Sequence, residues 1–287
     1  MAPSSTLGIL NPAAGFGRFW LDRLPPPEDL ADVVERFWTV RWNLAPGETF
    51  TQEVLPHPAV NLSLERSTHD VRAARAHGLL AHGISTRRFA AALEGRGMVL
   101  GTKLTPAGLA PFARVPLSTL FDRVVPVEEV MGAAPALAEV EALPPPEAFR
   151  LANAKVCAFL RERLASVTVD PRVRRVNALV ARVREDHEIL RVEDLARADG
   201  SSVRQLQRMF RSMVGVGPKW VVQRTRVQDA AERVARGERI DWARTAQDLG
   251  YHDQAHLIRD FRAQIGFTPE AYARRCREAI QEQREPA

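Results

Sequence analysis

One short pattern occurs twice near the end of the chain. Leu206, Arg208, Phe210, Arg211, Gly215 and Pro218 return as Leu257, Arg259, Phe261, Arg262, Gly266 and Pro269, each 51 residues later. A constant offset over six positions is a register and not a similarity of composition. In both copies the apolar residues recur at helical spacing, the arginines fall on the other side, and a glycine and then a proline end the element. Whatever fold the chain adopts must therefore present two copies of a helix with a basic outer face. Two linked basic helices suit one extended polyanion, and double-stranded DNA is the expected partner.

The first copy reads as a helix over 202–213. Ser202 is an N-cap, and Gln205 three residues on completes a capping box. Val203, Leu206, Phe210 and Met213 face a core, which leaves Arg204, Gln207, Arg208 and Arg211 outside. The second copy covers 253–264, with Asp253 at the cap. Leu257, Phe261 and Ile265 point inward; Ala255, His256, Arg259 and Arg262 point outward, beside Gln254. A helix fits the major groove, where Arg grips guanine and Gln reads adenine. Its N-terminal part touches bases, so Arg204, Gln207, Arg208 and their counterparts Ala255, His256 and Arg259 are the base-reading candidates. Arg211 and Arg262 lie further along and suit phosphate. Two rigidly joined readers would enter successive major grooves about 34 Å apart. The competing reading, that these arginines are only the solvated face of amphipathic helices, holds for any one of them and weakens for a duplicated set.

Charge follows the repeat. Residues 172–287 hold 23 Lys+Arg against 17 Asp+Glu, whereas the rest holds 17 against 18. The whole basic excess thus sits in the duplicated segment, as a polyanion-binding half requires. At 45% hydrophobic and 26% charged residues the chain reads as an ordinary globular protein. It shows neither an apolar run long enough for a membrane span nor a secretory start. Cys157 and Cys276 form no disulfide framework, so a reducing cytoplasm is expected.

The remaining text divides at a change of period. The start, through Pro25-Pro26-Pro27, reads as an irregular arm. Residues 37–42, 50–55, 60–64 and 97–101 read as short strands between turn residues, which predicts a small sandwich or cupin-like barrel. The Ala-rich stretch 89–93 carries little signal. After Pro116 the pattern becomes helical, with 117–121, 127–131 and 135–143 as short helices. A longer helix, 147–165, carries a stripe of Phe149, Val156, Phe159, Leu160 and Leu164, to be covered by the β-rich domain or by a second copy. The predicted fold is α+β in two domains: a β-rich N-terminal domain with flanking helices over 1–165, a linker over 166–171, and an all-α domain of seven helices over 172–287.

The C-terminal text resembles the DNA-binding domain of the AraC/XylS family of bacterial transcription regulators. The residues that carry the likeness are Leu195-Ala196, 202–210, Gly215, Pro218, Ala246, Leu249-Gly250-Tyr251, Gln254, His256-Leu257, Arg259, Phe261, Gly266, Thr268-Pro269 and Tyr272. Asp199-Gly200-Ser201 departs from the family's usual residues before the first recognition helix. The resemblance implies two helix-turn-helix units that place their third and sixth helices in adjacent major grooves. It further implies an N-terminal domain that binds a small-molecule effector or dimerises, with RNA polymerase as a further partner in transcription activation. No cofactor and no enzymatic activity are expected. His57, His69, His77 and His82 lack the carboxylate partner of a cupin metal site and read as turn or surface histidines. Trp38, Trp42, Phe50 and Phe89 read as core before pocket lining. Two other functions compete: a regulator whose N-terminal half only dimerises, and a DNA-repair enzyme using Cys157 or Cys276 as nucleophile.

Overall fold

The computed structural model describes residues 10, 15, 17–55, 57–67, 78–86, 88–238 and 240–284. Its N-terminal part contains β1 (Phe19–Leu24), β2 (Val34–Asn43), β3 (Thr49–Val54), β4 (Asn61–Ser67), β5 (Leu80–His82), β6 (Phe89–Glu94), β7 (Arg96–Leu104) and β8 (Val124–Pro126). Six of them form one antiparallel sheet in the order β1-β2-β7-β4-β5-β8, while β3 and β6 pair separately. Period-2 alternation gives the large sheet two different faces. One face carries Leu62, Leu64 and Leu100, which join the main core. The opposite face carries Phe19 and Trp42, which pack with Leu93 of β6 and, more loosely, Phe50 of β3. The fold is thus a sandwich of unequal sheets.

Several stretches differ from the sequence expectation, among them the short strands β5 and β8, which lie where no strand is predicted. β1 lies where an irregular arm is predicted, paired with β2 from Phe19↔Trp42 to Leu24↔Phe37. The three prolines end that strand and do not extend the arm, and a strand at the sheet edge tolerates such a neighbour. The 89–93 stretch is β6, a largely exposed strand held by its ladder to β3 and by buried Leu93. The helix expected at 117–121 is a single 3-10 turn, Leu117–Leu120.

The helices after the sheet are α1 (Val127–Met131), α2 (Ala138–Glu141, shorter than the stretch predicted) and α3 (Pro145–Ala165). In α3 the stripe of Phe149, Val156, Phe159 and Leu160 is buried in the same core as the sheet. The stripe is therefore covered by its own domain. A fully buried side chain such as Leu160 contributes roughly 1.5–3 kcal/mol.

From there the chain is helical: α4 (Arg172–Glu185), α5 (Val192–Asp199), α6 (Val203–Met213), α7 (Pro218–Ala235), α8 (Trp242–Asp248), α9 (Gln254–Ile265) and α10 (Pro269–Arg284). These seven match the predicted set. Pro218 opens α7 in its first turn, where the missing N–H costs least. Two cores result. The first gathers Val173, Val176, Val180 and Val183 of α4 with Leu195, Leu206 and Phe210, and takes in Ile84 and Ala107 from the sheet domain. The second gathers Val227, Leu257, Phe261, Ile265 and Tyr272, and takes in Leu55. Each half of the repeat thus builds its own core and leans on the β-rich domain.

Candidate nucleic-acid interface

α6 begins as its sequence dictates. Ser202 Oγ accepts from Gln205 N at 3.3 Å, and Gln205 Oε1 accepts from Ser202 N at 2.8 Å, so two end groups of the helix are satisfied reciprocally. Leu206 and Phe210 are wholly buried and Met213 nearly so, while Val203 is half-buried at the rim. Met209 is also buried, which widens the inward face beyond the sequence reading. That orientation leaves Arg204, Gln207, Arg208 and Arg211 exposed along one side. α9 repeats the arrangement. Asp253 Oδ1 accepts from His256 N at 2.7 Å, Leu257, Phe261 and Ile265 are wholly buried, and Gln254, Ala255, Arg259 and Arg262 are exposed. His256 is only half-buried and not fully outward. Its ring stands edge-on to buried Tyr251, 5.2 Å between centroids, so Tyr251 aims it.

The electrostatic contrast between these helices and their surroundings is sharp. Arg175, Arg182, Arg197, Arg233, Arg236, Arg244 and Arg274 each stand beside a carboxylate of the chain. Among the described residues Arg204, Arg208, Arg211, Arg259 and Arg262 make no such ion pair, although the Asp253 carboxyl, lowered chiefly by the hydrogen bond from His256 N, also feels Arg259. Exposed ion pairs contribute little to stability, so the pattern matters less for folding than for which cations remain available to a partner.

The two halves differ before the recognition helices. The 51-residue register holds from the caps Ser202 and Asp253 onward. In the preceding helices the offset is 50: the N-caps of α5 and α8 are Arg191 and Asp241, and the left-handed glycines that end them are Gly200 (φ 69°) and Gly250 (φ 71°). Only glycine takes that conformation without strain. After it, Ser201 N returns to Ala196 O at 3.0 Å, and Tyr251 N to Ala246 O at 2.8 Å. One residue, Ser201, then separates Gly200 from the first cap, while Tyr251 and His252 separate Gly250 from the second. The second turn is one residue longer.

Residues 195–275 match a family model described as a helix-turn-helix domain, and the match spans both units from α5 into α10. The C-terminal domain is an AraC-type helix-turn-helix domain. Residues 22–126 match a domain of unknown function, DUF6597. No curated protein matches the chain. Among solved structures, the chain is similar to the C-terminal domain of AraT, a response regulator from Geobacillus stearothermophilus, at 22% identity and a TM-score of 0.32, covering 37% of this chain and 85% of that one. It is also similar to ToxT from Vibrio cholerae at 11% identity and a TM-score of 0.38, covering 90% and 98%.

Within the helix-turn-helix domain, Arg208 also lines a cavity of about 180 Å³ with Arg172, Arg175, Ser201, Gln205 and Met209. Of these the sequence marks only Arg208 as a DNA contact; Arg172 and Arg175 join it because α4 packs across the start of α6. Arg226 is a second residue that sequence reasoning misses. It is 1% exposed in α7 and donates Nη2 to the carbonyls of Asp186 and Ile189, both at 2.8 Å, and Nη1 to Asp229 at 2.9 Å. It clamps the loop before α5 onto the connecting helix and so fixes the first unit relative to the second. A basic residue in a basic segment gives no sign of such a role.

The other candidates find structural places. Trp42 is in the core, Trp38 and Phe50 are half-buried, and Phe89 is exposed with its ring edge-on to His82 at 6.3 Å. His82 Nε2 lies 2.6 Å from Ser63 Oγ and 3.2 Å from Glu65. His57 is described but joins no group of metal ligands, and His69 and His77 lie outside the described residues. Cys157 and Cys276 are free and buried, and burial pushes both thiols up, away from the reactive thiolate. Among the described residues no helix is long and apolar enough to cross a membrane.

Proposed function

We propose that the chain is a sequence-specific transcription regulator that lays α6 and α9 in successive major grooves on one face of DNA. In this reading Arg204, Gln207, Arg208, Gln254, Ala255, His256 and Arg259 meet base edges, and Arg211 and Arg262 meet phosphates. The observation that carries it is the set of exposed arginines without carboxylate partners on two copies of one helix, in a domain whose other surface arginines are largely paired. The domains of this reading are 1–165 and 172–287, joined through 166–171, with the β-rich half sensing a small molecule or dimerising. An electrophoretic shift with promoter DNA from the gene's own neighbourhood tests it. Selective retardation at moderate salt is expected; equal binding to scrambled DNA would overturn it.

A further inference from the structure

The cleft between α4 and the start of α6 has an ordered set of donors. Arg172 and Arg175 stand one turn apart on α4, Gln205 and Arg208 one turn apart on α6, and all four are exposed around buried Met209. Arg208 is shared with a second hollow, lined by Arg204, Gln207, Arg211 and Ser212, on the side of the helix given to base reading. The cleft therefore adjoins that side. A helix lying in the major groove has a phosphate strand along each flank. At about 180 Å³ the cleft has room for about six waters of about 30 Å³ each, ample for one phosphate group.

These donors are held in place by the chain itself. Arg175 grips Asp199 through Nε at 2.9 Å and Nη2 at 2.6 Å, and Arg172 donates Nε to Asp170 at 2.8 Å. A guanidinium has more N–H groups than one carboxylate can take, so Nη1 of each arginine keeps its protons for another acceptor. Gln205 uses its carbonyl oxygen on the Ser202 cap, which leaves its NH2 group as a pure donor. The Asp199 side chain is only 8% exposed. Burial would raise its carboxyl, yet hydrogen bonds from Arg175 and Ser201 hold it below the usual range, so it stays ionised beneath Arg175. The α4 wall is fixed as well. Asn177 donates to Asp32 O at 2.8 Å and accepts from Ala107 N at 2.9 Å, both in the sheet domain.

The second unit lacks the arginine wall. α4 and α7 end 50 residues apart, at Glu185 and Ala235, each ahead of the first helix of its unit. At that offset Arg172 and Arg175 correspond to Val222 and Thr225, both buried, and Asp199 corresponds to Leu249.

We infer that this cleft seats one backbone phosphate of DNA: Arg172, Arg175 and the Gln205 amide donate to its oxygens, and Asp199 is the positioning residue that holds Arg175 for it. The inference rests on the regulator reading and deepens it, because it gives the first unit a phosphate grip that the second does not have. Arg208, at the rim, keeps its base. Asp199, where the chain departs from the family pattern, acquires a role. Since Asn177 fastens α4 to the sheet domain, the grip stands on the helix that the sheet domain holds.

Titration of the full chain with a promoter duplex and a scrambled duplex, by fluorescence anisotropy over a range of salt, tests this. Arg172→Gln and Arg175→Gln should each weaken binding about three- to tenfold on both duplexes, lower the salt slope by about one, and leave the preference between duplexes unchanged. Arg161→Gln, which breaks a similar exposed pair with Asp29 in the sheet domain, should change none of these. Removing a carboxylate from beside a polyanion would by itself tighten binding. Asp199→Asn should instead weaken it severalfold, as the loss of a residue that aims Arg175 must. Tighter or unchanged binding by Asp199→Asn overturns the positioning role. A salt slope kept at the parent value by both arginine variants, or a changed preference between duplexes, overturns the phosphate seat. A neutral methylphosphonate placed at each phosphate of the duplex in turn locates the contact. One position should weaken the parent severalfold and weaken Arg175→Gln no further; if no position behaves so, the cleft serves another anion and the inference fails. A parent that binds both duplexes equally overturns only the sequence-specific reading, because the slopes are still measured, whereas a parent that binds neither overturns both.

Discussion

The guanidinium of Arg88, just before β6, lies over the ring of Phe267, which follows the second recognition helix, with 4.8 Å from its carbon to the ring centroid. Arg275 of α10 covers the same ring at 4.2 Å, and Glu53 of β3 pairs with both arginines. Gly266 permits this approach, since a Cβ there would stand 2.5 Å from Arg88 Nε. The second unit is thereby fastened to the sheet domain by a residue set separate from the Asn177 contacts that fasten the first.

Glu53→Gln should loosen that fastening and leave the fold intact. Both arginines lose their shared counter-charge, and a half-buried pair loses more than an exposed one. Amide exchange in α9 and α10 should quicken while α6 is unaffected; equal protection in the variant and its parent would show that Phe267 docks without the ion pairs.

Arg208→Ala and Arg259→Ala should each cost about 1–3 kcal/mol of specific DNA binding and relax preference at one base position. Fluorescence anisotropy against a panel of single-base operator variants measures both effects. A loss of the same size on every sequence would reassign the residue to phosphate, and Arg208, which lines the groove with Arg172 and Arg175, is the more exposed to that outcome.

Phe210→Ala and Phe261→Ala each empty a wholly buried position and should destabilise by about 3–5 kcal/mol. Because the two residues lie in separate cores, urea unfolding followed by site-specific probes should place each loss first in its own unit.

The pH dependence of stability should carry the mark of Lys103. Its folded value is about 7 against an ordinary 10.5, so between those values the unfolded chain binds a proton that the folded chain does not. Stability from this group therefore rises with pH across that window and is lost as pH falls towards 7. Lys103→Met should flatten the slope, as measured by urea midpoints from pH 7 to pH 10; an unchanged slope would mean that Lys103 stays charged.

The helix-turn-helix units are legible in the chain because every local signal agrees: helical period, N-cap (Ser202 in a capping box, Asp253 alone), terminal glycine and proline mark 202–218 and 253–269. The central strands at 37–42 and 97–101 show for the same reason. β1 is hidden by Pro25-Pro26-Pro27, whose composition speaks louder than the alternation of Phe19, Leu21 and Arg23 before it. β6 is hidden because alanine has no periodic voice. The contacts of Asn177 with Asp32 and Ala107, and of Arg226 with Asp186 and Ile189, join residues far apart in sequence, and no window of neighbouring letters contains them.

The extra residue between Gly250 and Asp253 has a consequence for what the protein recognises. The two helices also carry different outward residues, Arg204, Gln207 and Arg208 against Ala255, His256 and Arg259, so in the proposed function the pair does not read the same word twice. Its target is best imagined as a phrase with unlike halves, which would give the bound regulator a fixed heading along the duplex.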